Sequence, residues 1–369
     1  MSVIDSALAQ VKLLHAYSPG KPVEELEREL GISNAIKLAS NENPLGCSDL
    51  AKQAINEASQ NIELYPDANA FYLKQKLAAK LGVKVEQLTI GNGSNDVLDL
   101  LARTFLDEHV EAIFSEYAFL VYPLVVQACG ARARQAKALP VDNIQPYGHD
   151  LTAMLALIND KTRLILIANP NNPTGTWLDR TELKYFIDKV PNHIAVVIDE
   201  AYFEYVDEDD YPDTLEWLSE YPNLIVTRTF SKIYGLAGLR VGYAVSSVEI
   251  TDLLNRLRQP FNANALALAA ATASLADDSF VAASKQNNKA GLQQLVTYFR
   301  AKGVEYIPSV ANFLTVRFGK HCDDIYQNLL QQGIILRPLV NYKLPEYLRV
   351  TIGTPQQQAL LMEKLDKLL

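Results

Sequence analysis

The chain has 369 residues, 49% hydrophobic and 21% charged, with a formal net charge of −9 at pH 7. This length exceeds what one growing core accommodates, so more than one domain is expected. The acidic balance lacks the basic footprint of a sequence-independent nucleic-acid binder, and no apolar run approaches the ~20 residues that span a bilayer.

The N-terminal stretch "MSVIDSALAQVKLLHAY" has no basic leader ahead of an apolar run. No signal peptide is expected, and the protein reads as cytoplasmic, with neither nucleic acid nor membrane as a partner. Residues 1–40 carry helix signals and few strand signals. They are expected to form an N-terminal arm and part of a smaller domain, with residues 41–264 as a large domain and residues 265–369 completing the small one. In the large domain, "IGNGSNDVLDLL" (90–101) opens a helix on whose face Val97, Leu98, Leu101 and Phe105 fall together. Short apolar runs then alternate with helical patterns: "AIFS" (112–115), "RLILIA" (163–168), "IAVVID" (194–199), "LIVT" (224–227) and "VGYAV" (241–245). The runs are continuous rather than alternating, as strands covered on both faces should be. An α/β fold with a mostly parallel, doubly wound sheet follows. After "RQPFNANALALAAA" (258–271) come an Ala-rich helical region and the strand-like "NFLTVRF" (312–318) and "YLRVTI" (347–352), which predict a smaller α+β domain.

Ligands of open α/β sheets bind at the carboxyl ends of the strands, and polar clusters fall there. "NPNNPTG" (169–175) follows one run, "DEAYFEY" (199–205) the next, and "RTFSKIYGLAGLR" (228–240) the third. Successive strand ends therefore bring Asn172, Asp199, Tyr202, Ser231, Lys232 and Arg240 to one rim. Singly, each also reads as a turn, a cap or a surface charge; the joint occurrence points to a site. A lysine in an apolar loop has its charged form disfavoured, so its amine becomes a nucleophile able to form a Schiff base with a carbonyl cofactor. A buried Asp suits a protonated pyridine nitrogen. Ser231 and Arg240 suit a phosphate, as do the backbone N–H groups around Gly93, Ser94 and Asn95 at a helix start. That loop lacks the dinucleotide spacing and, alone, equally describes a capped helix entry. The cysteines (Cys47, Cys129, Cys322) are scattered and read as free thiols. The histidines (His15, His109, His149, His193, His321) show no metal spacing and are expected at the surface or in caps, so no metal site is expected.

"NPNNPTG", "IDEAYFEY" and "TFSKIYGLAGLRVGY", in this order, resemble the signature of fold-type-I aminotransferases that use pyridoxal 5′-phosphate. "IKLASNENPLG" (36–46), "LYPDA" (64–68) and "ANFLTVRF" (311–318) are similar to the histidinol-phosphate aminotransferases among them. The resemblance implies that Lys232 bonds the cofactor and shuttles the α-proton. Asp199 would hold the ring nitrogen, Asn172 and Tyr202 the phenolic oxygen, and Ser231, Arg240 and the Ser94–Asn95 backbone the phosphate. Tyr117 would stack on the ring, where the residues alone equally allow a core aromatic. Tyr65 would reach the cofactor phosphate of a neighbouring subunit, making a homodimer with shared sites; otherwise it is a turn residue before Pro66. Arg337 and Arg349 would bind glutamate's carboxylates and the phosphate of histidinol phosphate, while Tyr17 and Asn41 would face the substrate. Alternation on its strand leaves open whether Arg349 points inward or to solvent. The implied reaction joins imidazole-acetol phosphate and glutamate to histidinol phosphate and 2-oxoglutarate, in histidine biosynthesis. Aromatic-amino-acid aminotransferases share nearly all these motifs and stay open as the alternative.

Overall fold

The computed structural model of the chain describes residues 2–14 and 20–369. The mid-sequence apolar runs assemble a seven-stranded sheet from β1 (Leu88–Gly91), β2 (Glu111–Ser115), β3 (Arg132–Ala136), β4 (Thr162–Ala168), β5 (Ala195–Asp199), β6 (Leu224–Thr229) and β7 (Gly242–Val245). Its order is β1-β7-β6-β5-β4-β2-β3. The β6-β5-β4-β2-β3 pairs are parallel, and β7 runs antiparallel to both of its neighbours. Alternate residues of one strand serve opposite faces. Leu164 and Leu166 enter one apolar cluster and Ile165 and Ile167 the other, just as Val197 and Val196 do on β5. Both faces are covered by helices, which is why these runs read as continuous. β3, by contrast, is the polar "RARQA" at the sheet's edge, half exposed, and no apolar run announces it. Charge on an edge strand discourages further pairing.

Helix α1 (Ser94–Phe105) springs from β1 through Gly93 and buries Val97, Leu98 and Leu101 against the sheet. Later, α2 (Ala265–Ser274) and α3 (Asp278–Ala301) meet at 82°. α2 puts Ala267, Ala270 and Ala271 into the cluster beneath the large sheet, where small side chains allow close approach. No single helix among the described residues is long and apolar enough to cross a membrane.

A second, antiparallel sheet of order β10-β11-β9-β8 is built from β8 (Tyr306–Ile307), β9 (Phe313–Arg317), β10 (Arg337–Leu339) and β11 (Leu344–Thr351). It has its own apolar core, which includes Leu314, Val316, Leu348 and Val350 with Leu295 and Phe299 of α3. The early segment Ile36–Lys37 pairs in parallel with Ile334–Ile335, and Leu38 joins that same core. Residues 38–43 then run from this layer to the rim of the large sheet. The cysteines are free, with Cys322 buried.

Candidate active site

A cavity of about 250 Å³ opens between the carboxyl rim of β4, β5 and β6 and the face of β10 and β11. Eleven of the residues singled out from sequence line it: Asn41, Ser94, Asn95, Asn172, Asp199, Tyr202, Ser231, Lys232, Arg240, Arg337 and Arg349. Tyr17 lies outside the described residues.

Asp199 ends β5 and is 4% exposed. Its Oδ2 accepts from the Tyr122 hydroxyl at 3.1 Å and its Oδ1 from Thr227 Oγ1 at 3.1 Å. Burial pushes the carboxyl up to about 6, against the pull of those hydrogen bonds and of Lys232. Lys232 follows β6 by three residues; its Nζ donates to the Ser40 carbonyl at 3.1 Å and lies 5.7 Å from the centroid of the Tyr202 ring. Desolvation brings its amine down to about 7, helped by the nearby Arg349 and Arg240 and opposed by Glu42. The apolar, glycine-spaced loop that holds it therefore keeps a large share of the amine neutral at physiological pH.

The positive elements converge on one end of the cavity. Arg240 folds back so that Nη1 donates to Ser231 Oγ at 3.3 Å and to the Ala237 carbonyl at 3.1 Å. Gly93 permits this: it has φ +83°, and a Cβ there would collide with Arg240 Nη2. A Cβ on Gly242 would similarly strike the Ser94 N–H, at 2.5 Å. A guanidinium thus rests against the N-terminus of α1, which no side chain among the described residues caps. Two positive ends in contact ask for an anion between them.

On the opposite wall, Arg337 and Arg349 are directly paired across β10 and β11, and both are buried. Arg349 points inward, settling what alternation left open. Its Nη1 donates to Asn172 Oδ1 at 2.5 Å and its Nη2 to the Ala39 carbonyl at 2.7 Å. Like charges set opposite one another on a buried sheet face are unfavourable unless an anion meets them.

Asn172 and Asn41 both reach Tyr202: Asn41 Nδ2 donates to its hydroxyl at 2.9 Å and Asn172 Nδ2 at 3.3 Å.

Two expectations, those for Tyr117 and His149, are corrected. Tyr117 does not line the cavity; its ring meets Tyr147 edge-on, with centroids 5.0 Å apart, against the cluster of Leu339, Tyr342 and Tyr347. Phe119, two residues further on, lines the cavity in its place, its ring meeting edge-on that of Tyr122, the partner of Asp199. Tyr65 is 84% exposed and stacks on Phe261 at 4.7 Å, outside this chain's own cavity. His149 is not at the surface: it is buried, its Nε2 is 2.8 Å from the Ala168 carbonyl at the end of β4, and burial lowers it to about 4. Sequence reasoning also passed over Tyr122, Thr227, Phe119 and Tyr342. Only Tyr122 carried a signal, as a tyrosine on an otherwise apolar helical face.

The family model for class I and II aminotransferases matches residues 33–365. The chain is 52% identical to histidinol-phosphate aminotransferase 2 of Pasteurella multocida over 369 residues, all of both chains. It is 53% identical to histidinol-phosphate aminotransferase 2 of Pseudomonas fluorescens over 367 residues, 98% of each. Among solved structures, histidinol-phosphate aminotransferase from Sinorhizobium meliloti, in complex with pyridoxal 5′-phosphate, superposes with a TM-score of 0.87 at 27% identity. That match covers 99% of this chain and all of the other.

Proposed function

The chain belongs to the class I and II aminotransferases and, within them, to the histidinol-phosphate aminotransferases. From that premise we propose that it transfers the amino group of glutamate to imidazole-acetol phosphate, giving histidinol phosphate and 2-oxoglutarate in histidine biosynthesis. The carrying observation is end-to-end identity of 52% to a relative of that name. It favours this reaction over transamination of aromatic amino acids.

The residues fit pyridoxal 5′-phosphate as cofactor. The guanidinium of Arg240, the Ser231 hydroxyl and the uncapped start of α1 form a cradle for a phosphate dianion. Asp199, held as an acceptor by Tyr122 and Thr227, is placed to keep a ring nitrogen protonated, and a cation there would draw its raised pKa back down. Phe119 offers an apolar face in the position expected of Tyr117. Asn172 and Tyr202, joined by a hydrogen bond and set beside Lys232, would hold the phenolic oxygen. When bound, the cofactor supplies a carbonyl carbon for an amine and an electron sink for the substrate's α-carbon.

Lys232 Nζ, neutral in large part near pH 7, would hold the cofactor and would be the base that takes and returns the α-proton. Arg337 and Arg349 supply a divalent clamp that suits substrates with two anionic groups, such as glutamate or a phosphorylated amine. Asn41 was expected to face substrate, and its place on the cavity wall is compatible with that. The exposed apolar patch of Ile62, Leu64, Tyr65, Phe71 and Tyr72 supports a homodimer in which Tyr65 completes the partner's site. The biosynthetic reaction and the lack of a spanning helix among the described residues support a cytoplasmic location.

The test is a stopped-flow comparison of the loaded protein mixed in turn with histidinol phosphate, phenylalanine and glutamate. Fast loss of the visible band with histidinol phosphate and glutamate, and slow loss with phenylalanine, is expected. Equal or faster reaction with phenylalanine would contradict the assignment.

A further inference from the structure

We propose that Asn43 is a positioning residue for Lys232: its side-chain amide ties the loop that carries the lysine to helix α3 and so keeps water away from the reacting amine. The inference rests on the reading of Lys232 as that amine, given above.

Residues 40–47 form a bed for the lysine loop through three separate contacts. Ser40 gives its carbonyl to Lys232 Nζ at 3.1 Å. Asn43 Nδ2 donates to the Ile233 carbonyl at 2.7 Å, one residue beyond the lysine. Gly235, with φ +69°, lies so close to Gly46 that a Cβ on it would meet the Gly46 carbonyl oxygen at 1.8 Å, an approach only glycine permits.

The direction of the Asn43 amide is fixed within its own turn. The Leu45 N–H donates to Asn43 Oδ1 at 3.0 Å, so Nδ2 is the end that carries hydrogens outward. One goes to the Ile233 carbonyl and the other to Ser284 Oγ, at 2.8 Å. Asn43 is 8% exposed, and Ile233 and Ser284 are buried more deeply still. Ser284 stands on α3, whose Leu295 and Phe299 belong to the core of the small domain. One amide therefore spans from the small domain to the peptide next to Lys232.

Deprived of this amide, the Ile233 carbonyl is a buried acceptor that has lost its donor and recruits water. Water admitted there reaches the amine, whose charged form is disfavoured chiefly by burial. Loss of the amide therefore moves the titration of Lys232 up, toward its ordinary value. The charged and titratable groups that face Lys232 are Arg349 on β11, Arg240 after β6, Glu42 and Lys37 on the segment before Asn43, and Asp199 and Tyr202 at the end of β5. The substitutions below alter none of them.

The experiment is competitive acylation of the full-length, cofactor-free chain from neutral to alkaline pH, with the extent at Lys232 read by peptide mass spectrometry. The wild-type midpoint is expected near 7. Asn43→Ser keeps a hydroxyl for the Leu45 N–H but does not reach Ile233, and should raise the midpoint by roughly 1 pH unit. Ser284→Ala removes only the tie to α3. It should shift the midpoint in the same direction by less, and it provides the readout if Asn43→Ser does not fold. In the cofactor-loaded variants the acid limb of the kcat–pH profile should move the same way. Leu329→Ala, a cavity in the small-domain core, is the control and should lower the thermal midpoint without moving the titration. An unmoved titration in both Asn43→Ser and Ser284→Ala would overturn the inference. So would an equal shift in Leu329→Ala, since Asn43 would then serve stability alone. The labelling uses no cofactor, so the inference and the proposed function are judged apart. Absence of a visible band when pyridoxal 5′-phosphate is added to wild type would count against the function, and a wild-type midpoint near 10.5 against the inference.

Discussion

The two walls of the cavity are built by different rules. On the large-sheet wall each polar residue follows the end of a buried parallel strand: Asn172 after β4, Asp199 at the end of β5, and Ser231 and Lys232 after β6. On the facing wall, Arg337 and Arg349 sit within antiparallel strands and meet through their register. Topology alone brings the first set together; the second depends on which way each strand's side chains point. The first wall holds groups whose titration burial has moved, and the second holds permanent charge. Under the proposed function, cofactor chemistry falls to the first wall and substrate recognition to the second.

The largest effect expected falls on the first wall. Lys232→Ala should lower turnover by roughly 10³-fold or more while circular dichroism stays native, since both the anchor and the base are lost. Turnover that survives in this variant would erase the distinction between the walls. Asp199→Asn should lower kcat by about 10²–10³-fold, with substrate KM changing less than kcat. On the second wall, Arg337→Gln should raise KM for glutamate or histidinol phosphate by roughly 10–100-fold, the scale of a charge-assisted hydrogen bond, and leave cofactor affinity unchanged. Arg349→Gln should cost more, because its guanidinium also holds Asn172. A reversed pattern, with Arg337→Gln weakening cofactor binding and sparing KM, would mean the clamp belongs to the phosphate cradle.

The last effect is on stability and leaves turnover aside. The Lys232 amine titrates near 7 in the folded chain, below its ordinary value of 10.5. Between those values the unfolded chain binds more protons, so folding stability rises with pH across the interval. The penalty for the buried charge is complete below about pH 7 and gone above about 10.5. Lys232→Met should therefore raise the thermal midpoint of the cofactor-free protein most below about pH 7, and the gain should fade as pH approaches 10.5. Calorimetry across that range checks it, and a gain that does not depend on pH would show that the lysine is solvated.

Legibility in the sequence followed the same division. A buried parallel strand such as "AVVID" announces itself by continuous hydrophobicity, and its end marks the rim, so Asp199 and its companions are legible from the residue pattern alone. The polar edge strand β3 is not, since it carries no apolar run. Arg349 was ambiguous because residues Tyr347–Thr351 of β11 are buried on both faces, which erases the alternation that would have told inside from outside. Tyr117 and Phe119 are two aromatics in one turn, and only the path of the backbone decides which one reaches the cavity. His149 has no local cue; only the folded chain sets it against the Ala168 carbonyl at the end of β4.

The most direct test of the account is borohydride reduction of the cofactor-loaded protein, followed by digestion and peptide mass spectrometry. The account predicts that the added pyridoxyl mass is confined to the peptide carrying Lys232. Modification of a different lysine, or of none, would contradict it.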